Sequence, residues 1–287
     1  MTMKLGRLGV WNPNDRLTPA ELVRLLSTAE DLGYTALWYP EAVGYEALSS
    51  AAFMLANSKT LSIGSSIAST YARDAFTARR GLVGLSAMHD NRFILGLGVS
   101  HASMVTARGH EYDRPVPTMH AYLDGLYGDE PGADQWPVML AALGPVMTRL
   151  AFERSMGALP VNTTPEHTRR TAAKMPAGKH LAVAQKFVLE SDPVKARAIG
   201  RAELAMYFGL PNYLAHWKRL GFSDAELQNG GSDRLIDAMI NWGTVDEVKR
   251  QIRAHFEAGA THVCIRPVHA NGDYAARDAA LRLMADL

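Results

Sequence analysis

At 287 residues the chain is long enough for one α/β barrel or for two small domains. It is 47% hydrophobic, with a formal net charge of +1 and no long basic run, which argues against nucleic acid as a partner. A single cysteine, Cys264, excludes an intrachain disulfide, and no stretch approaches the ~18 consecutive apolar residues of a membrane span. The N-terminal MTMKLGRLGVWNP has neither a secretory hydrophobic region nor a small-residue cleavage site, so a cytoplasmic, soluble protein is expected.

Strand-like and helix-like segments alternate from the start. Lys4–Trp11 reads as a first strand. Thr18-Pro19-Ala20-Glu21 then forms a capping box with proline in the first turn, Leu22, Leu25, Leu26, Ala29 and Leu32 recur at helical spacing, and Gly33 ends the helix. A second strand, Thr35–Tyr39, stops at Pro40-Glu41, and a helix covers Tyr45–Asn57. Leu61–Ser69 is the third strand, followed by Tyr71-Ala72-Arg73-Asp74, a helix over Ala75–Met88 and a fourth strand, Arg92–Val99, that runs into Ser100-His101.

Ala102–Pro117 reads as a loop, Thr118–Tyr127 as a helix and Gly128–Gln135 as a polar turn. A fifth strand, Pro137–Ala142, precedes a helix over Val146–Met156. A sixth, Ala158–Asn162, leads into the helix start Thr164-Pro165-Glu166. The seventh strand is His180–Leu189, with Asp192-Pro193 opening its helix. Tyr207–Asn241 is broken by Gly209, Pro211, Gly221, Gly230 and Gly231 and reads as an irregular insertion. Thr244–Glu247 restores order as a second capping box, and Val248, Ile252 and Phe256 share a helix face that Gly259 ends. The eighth strand, Thr261–Pro267, holds Cys264 as a small buried hydrophobe, and a last helix spans Tyr274–Ala285.

Eight strands each paired with a helix favour a (β/α)8 TIM barrel over a doubly wound sheet, in one domain over residues 1–287 with the insertion at 207–241 before the last β/α unit. Polar tips at the carboxyl ends of parallel strands are where such folds place their sites. Gly96 and Gly98 give G-x-G without the third glycine of a dinucleotide fingerprint, and there is no Walker loop. His110, His167 and His180 show no metal-ligand spacing and no H-E-x-x-H is present, so no metal is expected.

Several stretches together resemble the bacterial luciferase-like flavin and deazaflavin oxidoreductases. They are Leu37–Glu41, Ile63–Ser69 with Tyr71–Asp74, Asn91–His101, Ala141–Pro145, Thr163–Thr168 and Trp242–Val268. Gly98–Ala102, Leu210–Tyr213 and Arg219–Phe222 resemble an actinobacterial subgroup associated with coenzyme F420. The resemblance implies a (β/α)8 barrel, a cofactor ring across the carboxyl ends of the strands, a homodimer, and a non-proline cis peptide in the third strand that by position falls at Ser66-Ile67. It further implies an F420-dependent oxidoreductase that transfers a hydride between the deazaflavin and a small organic substrate. The alternatives are an FMN-dependent monooxygenase using reduced flavin and dioxygen, and, from another class, a barrel that binds flavin or a small ligand without turnover. Ala42 motivates the last, because many relatives carry a histidine there.

Within this resemblance His101 is the expected acid/base, since its pKa lies near neutrality; the plainer role is a hydrogen bond to a loop or to the cofactor tail. Glu41 is the second catalytic candidate, or else a ligand of the cofactor or a loop acid. Ser66, Ile67, Ser69 and Thr70 are expected to touch the cofactor, as are Gly98, Val99 and Ser100 in the fourth-strand turn. Asn162, Thr163 and Thr164 lead into a helix whose free amides suit a phosphate or a ring edge. Arg73 is a candidate for cofactor phosphate, with Asp74 beside it as a structural ion-pair partner. Tyr207, Phe208, Tyr213, Trp217 and Phe222 in the insertion would roof the pocket, line a dimer interface, or simply pack.

Overall fold

The computed structural model describes residues 5–270 and 272–287; Lys4, the first residue of the predicted first strand, lies outside them. Among the described residues ten strands form: β1 (Leu8–Trp11), β2 (Ala36–Tyr39), β3 (Ser62–Ser65), β4 (Ala68–Ser69), β5 (Phe93–Gly98), β6 (Val138–Leu140), β7 (Gly157–Ala158), β8 (His180–Val188), β9 (Ile240–Trp242) and β10 (His262–Pro267). Every pairing among the described residues is parallel, in the order β10-β1-β2-β3-β5-β6-β7-β8, with β4 continuing the third stave beside β5. The ring closes because β10 pairs with β1 on one edge and with Ala182–Phe187 of β8 on the other. Seven of these eight staves fall within the segments predicted above, β7 meets its predicted segment Ala158–Asn162 only at Ala158, and the fold is a closed (β/α)8 barrel.

The strands alternate between two apolar environments, as parallel strands buried on both faces must. Leu37, Tyr39, Phe93, Leu95, Leu97, Val263 and Ile265 face the helical shell. Trp38, Ile94, Met139, Ala182, Ala184 and Cys264 fill the lumen. The helices present matching stripes: Pro19–Asp31 buries Leu22, Leu25, Leu26 and Ala29 and starts with both halves of the Thr18–Glu21 capping box in place. The Thr244–Glu247 box likewise opens Val245–Glu257.

Three segments differ from the sequence reading. Ala102–Thr106 is a short helix and Pro115 opens the next one, so the predicted loop is much shorter; apolar contact of Val105 and Met119 with the core orders it. The third strand breaks into β3 and β4 around a cis Ser66-Ile67 peptide, at the bond the family resemblance implied. Tyr207–Asn241 is not irregular throughout. It holds the helices Pro211–Arg219 and Asp233–Met239 and then β9, which pairs with Lys186–Val188 on the edge of β8 that β10 leaves free. Leu204, Trp217, Leu235 and Ile236 give this excursion a core of its own.

The amino-terminal end of the lumen is closed by Trp38 and His262. Trp38 Nε1 donates to His262 Nε2 at 2.9 Å, and His262 Nδ1 faces the Gly6 carbonyl. Gly64 makes room for this pair, since a Cβ there would sit 2.4 Å from the indole ring. The imidazole therefore accepts at one nitrogen and donates at the other, which only the neutral form can do. Burial accordingly holds its pKa down at about 4. In the unfolded chain a histidine titrates near its ordinary 6.5. As pH falls from 6.5 towards 4, the unfolded state takes up a proton that the fold refuses, so stability falls across that window and levels off below it. For His262 this amounts to roughly 3 kcal/mol. Denaturant unfolding at several pH values should therefore show a shallower acid slope for His262→Gln than for the wild type. An unchanged slope would mean that the lumen histidine is protonated in the fold.

Candidate active site at the barrel mouth

The carboxyl end of the barrel is organised by Glu41, which follows β2. Its backbone N–H donates to the Ile67 carbonyl at 3.2 Å, and its carboxylate accepts from the amides of Ala47 at 3.1 Å and Ser69 at 2.8 Å. Arg73 completes the set with an ion pair to the same carboxylate and a second one to Glu46 at 2.8 Å. The side chains of Arg73 and Glu41 are only 6% and 4% exposed. Burial opposes the charge on Arg73, but the hydrogen bond and charge of Glu41, then Glu46, outweigh it and raise the guanidinium above its ordinary value. Asp74 is not the partner of Arg73, contrary to the expectation above. Its carboxylate caps the helix Ala75–Met88 by accepting from Thr77 N at 2.8 Å, so it is already committed.

The Glu41 contacts fix the segment after β3. Ser66 N donates to the Tyr39 carbonyl, and the Ile67 side chain turns into the lumen against Gly98. A Cβ at Gly98 would lie 2.5 Å from Ile67 Cγ1, and one at Gly96 would lie 1.8 Å from the Ser65 carbonyl oxygen. The G-x-G of the fourth predicted strand is therefore a packing device rather than a phosphate loop. Ser69 and Thr70 are buried next to it, and Thr70 N donates to the Gly98 carbonyl at 3.0 Å. Thr70 Oγ1 has no partner among the described residues.

Val99 leads from β5 into Ser100, whose φ of 60° turns the chain so that His101 precedes the helix Ala102–Thr106. The imidazole is half-buried and lies 5.9 Å, centroid to centroid, from the ring of Tyr213 in the insertion. Burial lowers its pKa below 6.5, and a hydrogen bond with Asn212 partly opposes that. Across the mouth, Asn162 has a φ of 52° and is buried, as is Thr163. Asn162 Nδ2 and Thr163 Oγ1 have no partner among the described residues. Thr164 caps the helix Pro165–Ala172 by accepting from His167 N at 3.3 Å.

Between these groups lie residues that the sequence reading passed over. Lys186 of β8 and Arg266 of β10 face the mouth beside Trp11, Val161 and Tyr207. Glu203, from the helix Pro193–Leu204, reaches them both. Their signal was a cation near the end of a largely apolar strand, HLAVAQKFV and HVCIRP. Of the insertion aromatics, Tyr207 roofs the mouth, Tyr213 stands beside His101, and Trp217 and Phe222 are packed in the excursion's core. A roomier groove, about 720 Å³, lies outside the barrel between the helices Pro145–Arg154 and Pro165–Ala172, away from these residues. Among the described residues no three His, Cys, Asp or Glu side chains gather as a metal set, and no helix is long and apolar enough to cross a membrane.

Residues 2–262 match the luciferase-like monooxygenase family, and the chain belongs to it. A Mycobacterium tuberculosis protein with the provisional name coenzyme F420-dependent oxidoreductase is 24% identical, over 92% of this chain and 94% of that protein. An F420-dependent secondary alcohol dehydrogenase, solved with an F420-acetone adduct, superposes with a TM-score of 0.75 at 15% identity, covering 99% of this chain and 98% of the other. The oxygenating constituent of 3,6-diketocamphane monooxygenase of Pseudomonas putida, solved with FMN, superposes with a TM-score of 0.68 at 14% identity, covering 98% and 96%.

The occupied lone pairs of Glu41 define a test of its role. Breaking a buried pair leaves an uncompensated charge or donor, so Glu41→Gln and Arg73→Met should each lower the unfolding free energy by ~3 kcal/mol. The double variant should recover part of the loss. A Glu41→Gln protein as stable as the wild type but without turnover would make this carboxylate a reacting group.

Proposed function

We propose that this chain is an F420-dependent oxidoreductase that moves a hydride between the deazaflavin and a small organic substrate. What carries the reading is a set of buried polar groups without partners among the described residues, Thr70 Oγ1 beside the floor that Ile67 makes over Gly98, and Asn162 Nδ2 and Thr163 Oγ1 across the mouth. Buried polar groups are normally satisfied, so an unpartnered cluster beside an apolar floor suits a flat, polar-edged ligand. The F420-named relative and the F420-bound neighbour favour the deazaflavin.

Ser66, Ile67, Ser69 and Thr70 would hold the ring side of the cofactor. Gly98, Val99 and Ser100 would flank it, and Asn162, Thr163 and Thr164 would receive a phosphate or ring edge. When bound, the deazaflavin supplies the carbon that gives or takes the hydride. His101 handles the accompanying proton. Its lowered pKa leaves the imidazole neutral at pH 7, so it accepts a proton from a substrate being oxidised and returns it in the reverse direction. Tyr213 and Asn212 keep the ring in place.

The second reading is an FMN-dependent monooxygenase, favoured by the FMN complex on the same fold. Fluorescence titration with F420 and with FMN separates the two: F420 should bind with micromolar or tighter affinity and FMN more weakly. Much tighter FMN binding would replace the first reading with the second. Absence of hydride transfer to or from any substrate, with F420 tightly bound, would leave only a binding barrel.

His101→Ala should keep cofactor affinity within a few-fold of wild type while turnover falls by ~10²–10⁴, and His101→Gln should be nearly as slow. Oxidation by the wild type should weaken as pH drops through the lowered pKa of His101, below 6.5. Collapsed cofactor affinity with surviving saturated turnover would instead make His101 a cofactor ligand.

A further inference from the structure

We infer that the side of the mouth between β8 and β10 is an oxyanion subsite, and that the substrate carries a carboxylate or a phosphate; only the word substrate rests on the function proposed above. Lys186 and Arg266 are direct partners in the β8–β10 ladder, so two like charges stand side by side on one face of the barrel. Such an arrangement is unfavourable unless something compensates it. Among the described residues a single carboxylate, Glu203, is within ion-pair reach of either cation. Arg266 takes both its oxygens, at 2.6 and 3.1 Å, and leaves Lys186 Nζ at 4.0 Å.

The remaining surroundings of that ammonium are neutral. They are the Asn162 side-chain oxygen at 2.5 Å and the Tyr207 ring, 4.3 Å from Nζ to its centre. The Lys186 side chain is only 4% exposed, so water does little to screen it. The trio carries one positive charge in excess, beside a small pocket of about 10 Å³ walled by Trp11, Val161 and Tyr207. A buried charge seeks a partner, and low-dielectric walls strengthen attraction to an incoming anion. An oxyanion placed against Lys186 would balance the charge and gain a charge-assisted hydrogen bond.

Calorimetric titration of cofactor-free protein at low ionic strength tests this, with acetate, inorganic phosphate and the neutral isostere acetamide as probes. At least one anion should bind on the order of tenfold or more tightly than acetamide, the usual worth of a hydrogen bond to a charged group. The stronger of the two anions identifies the substrate's acidic group. Glu203→Gln, which releases both cations, should tighten anion binding, and Lys186→Met should weaken it about tenfold. The wild-type comparison and Glu203→Gln stand even if Lys186→Met fails to fold. Equal affinity for acetamide, or no gain in Glu203→Gln, overturns the subsite. Protein loaded with F420 should still bind the anion; loss on loading would show that the cofactor's own phosphate takes the site and would overturn the substrate assignment. Protein that binds the anion but neither F420 nor FMN keeps the subsite and loses the function proposed above.

Discussion

The geometry of the mouth depends on one buried carboxylate. Glu41 joins the end of β2 to the start of the helix Ala47–Ala56, to β4 and to Arg73 before the next helix. The turns that join these segments are thereby tied to one another. A carboxylate out of water must satisfy its lone pairs inside the protein, and here two backbone amides and a guanidinium do so. The result is that Ile67 is held over Gly98 by bonds on both sides of it, at Ser66 N and Ser69 N. The Glu41 network thus gives the β2–β4 side of the mouth a fixed floor, which the function proposed above would use for a rigid ring.

The barrel itself was largely readable from sequence. Its signals are local and repeated: period-two or continuous apolar runs for strands, capping boxes at Thr18 and Thr244, and glycine stops at Gly33 and Gly259 with φ of 79° and 100°. What failed to show was set by distant contacts. Ala102–Thr106 is too short for helical periodicity and is ordered by burying Val105. β9 has three residues, and only the free edge of β8 makes it a strand. Its place in the sheet depends on residues more than fifty positions away.

The candidate site was legible in part, and the reason is chemical. His101, Asn162 and Thr163 stand at strand tips, where a polar residue after an apolar run is conspicuous. The role of Arg73 was not legible, because Asp74 is adjacent in sequence while Glu41 is adjacent only in space. Lys186 and Arg266 were overlooked because they sit within strands that otherwise read as core. Within such a strand the inward positions of the last turn of the barrel belong to the mouth, not to the core. A cation on that face is better evidence of a site than a polar residue in the loop that follows.

That principle can be followed along two strands. The lumen positions of β10 are His262, Cys264 and Arg266, and those of β8 are Ala182, Ala184 and Lys186, partners in the ladder at every step. Deep in the barrel the titratable groups are neutral at physiological pH. Burial keeps His262 uncharged, and it pushes the Cys264 thiol up so that it too stays uncharged. Charge is met only at the third step, where the wall opens and Glu203 reaches in. On the other side Arg73 is shared between the carboxylates of Glu41 and Glu46, so the two sides of the mouth are not equivalent: one carries an acid in excess, the other a cation in excess. A barrel cannot keep unpaired charge in its lumen, so charged side chains are confined to this rim. Under the function proposed above, His101, whose pKa burial lowers, would take up and return a proton while resting uncharged at neutral pH.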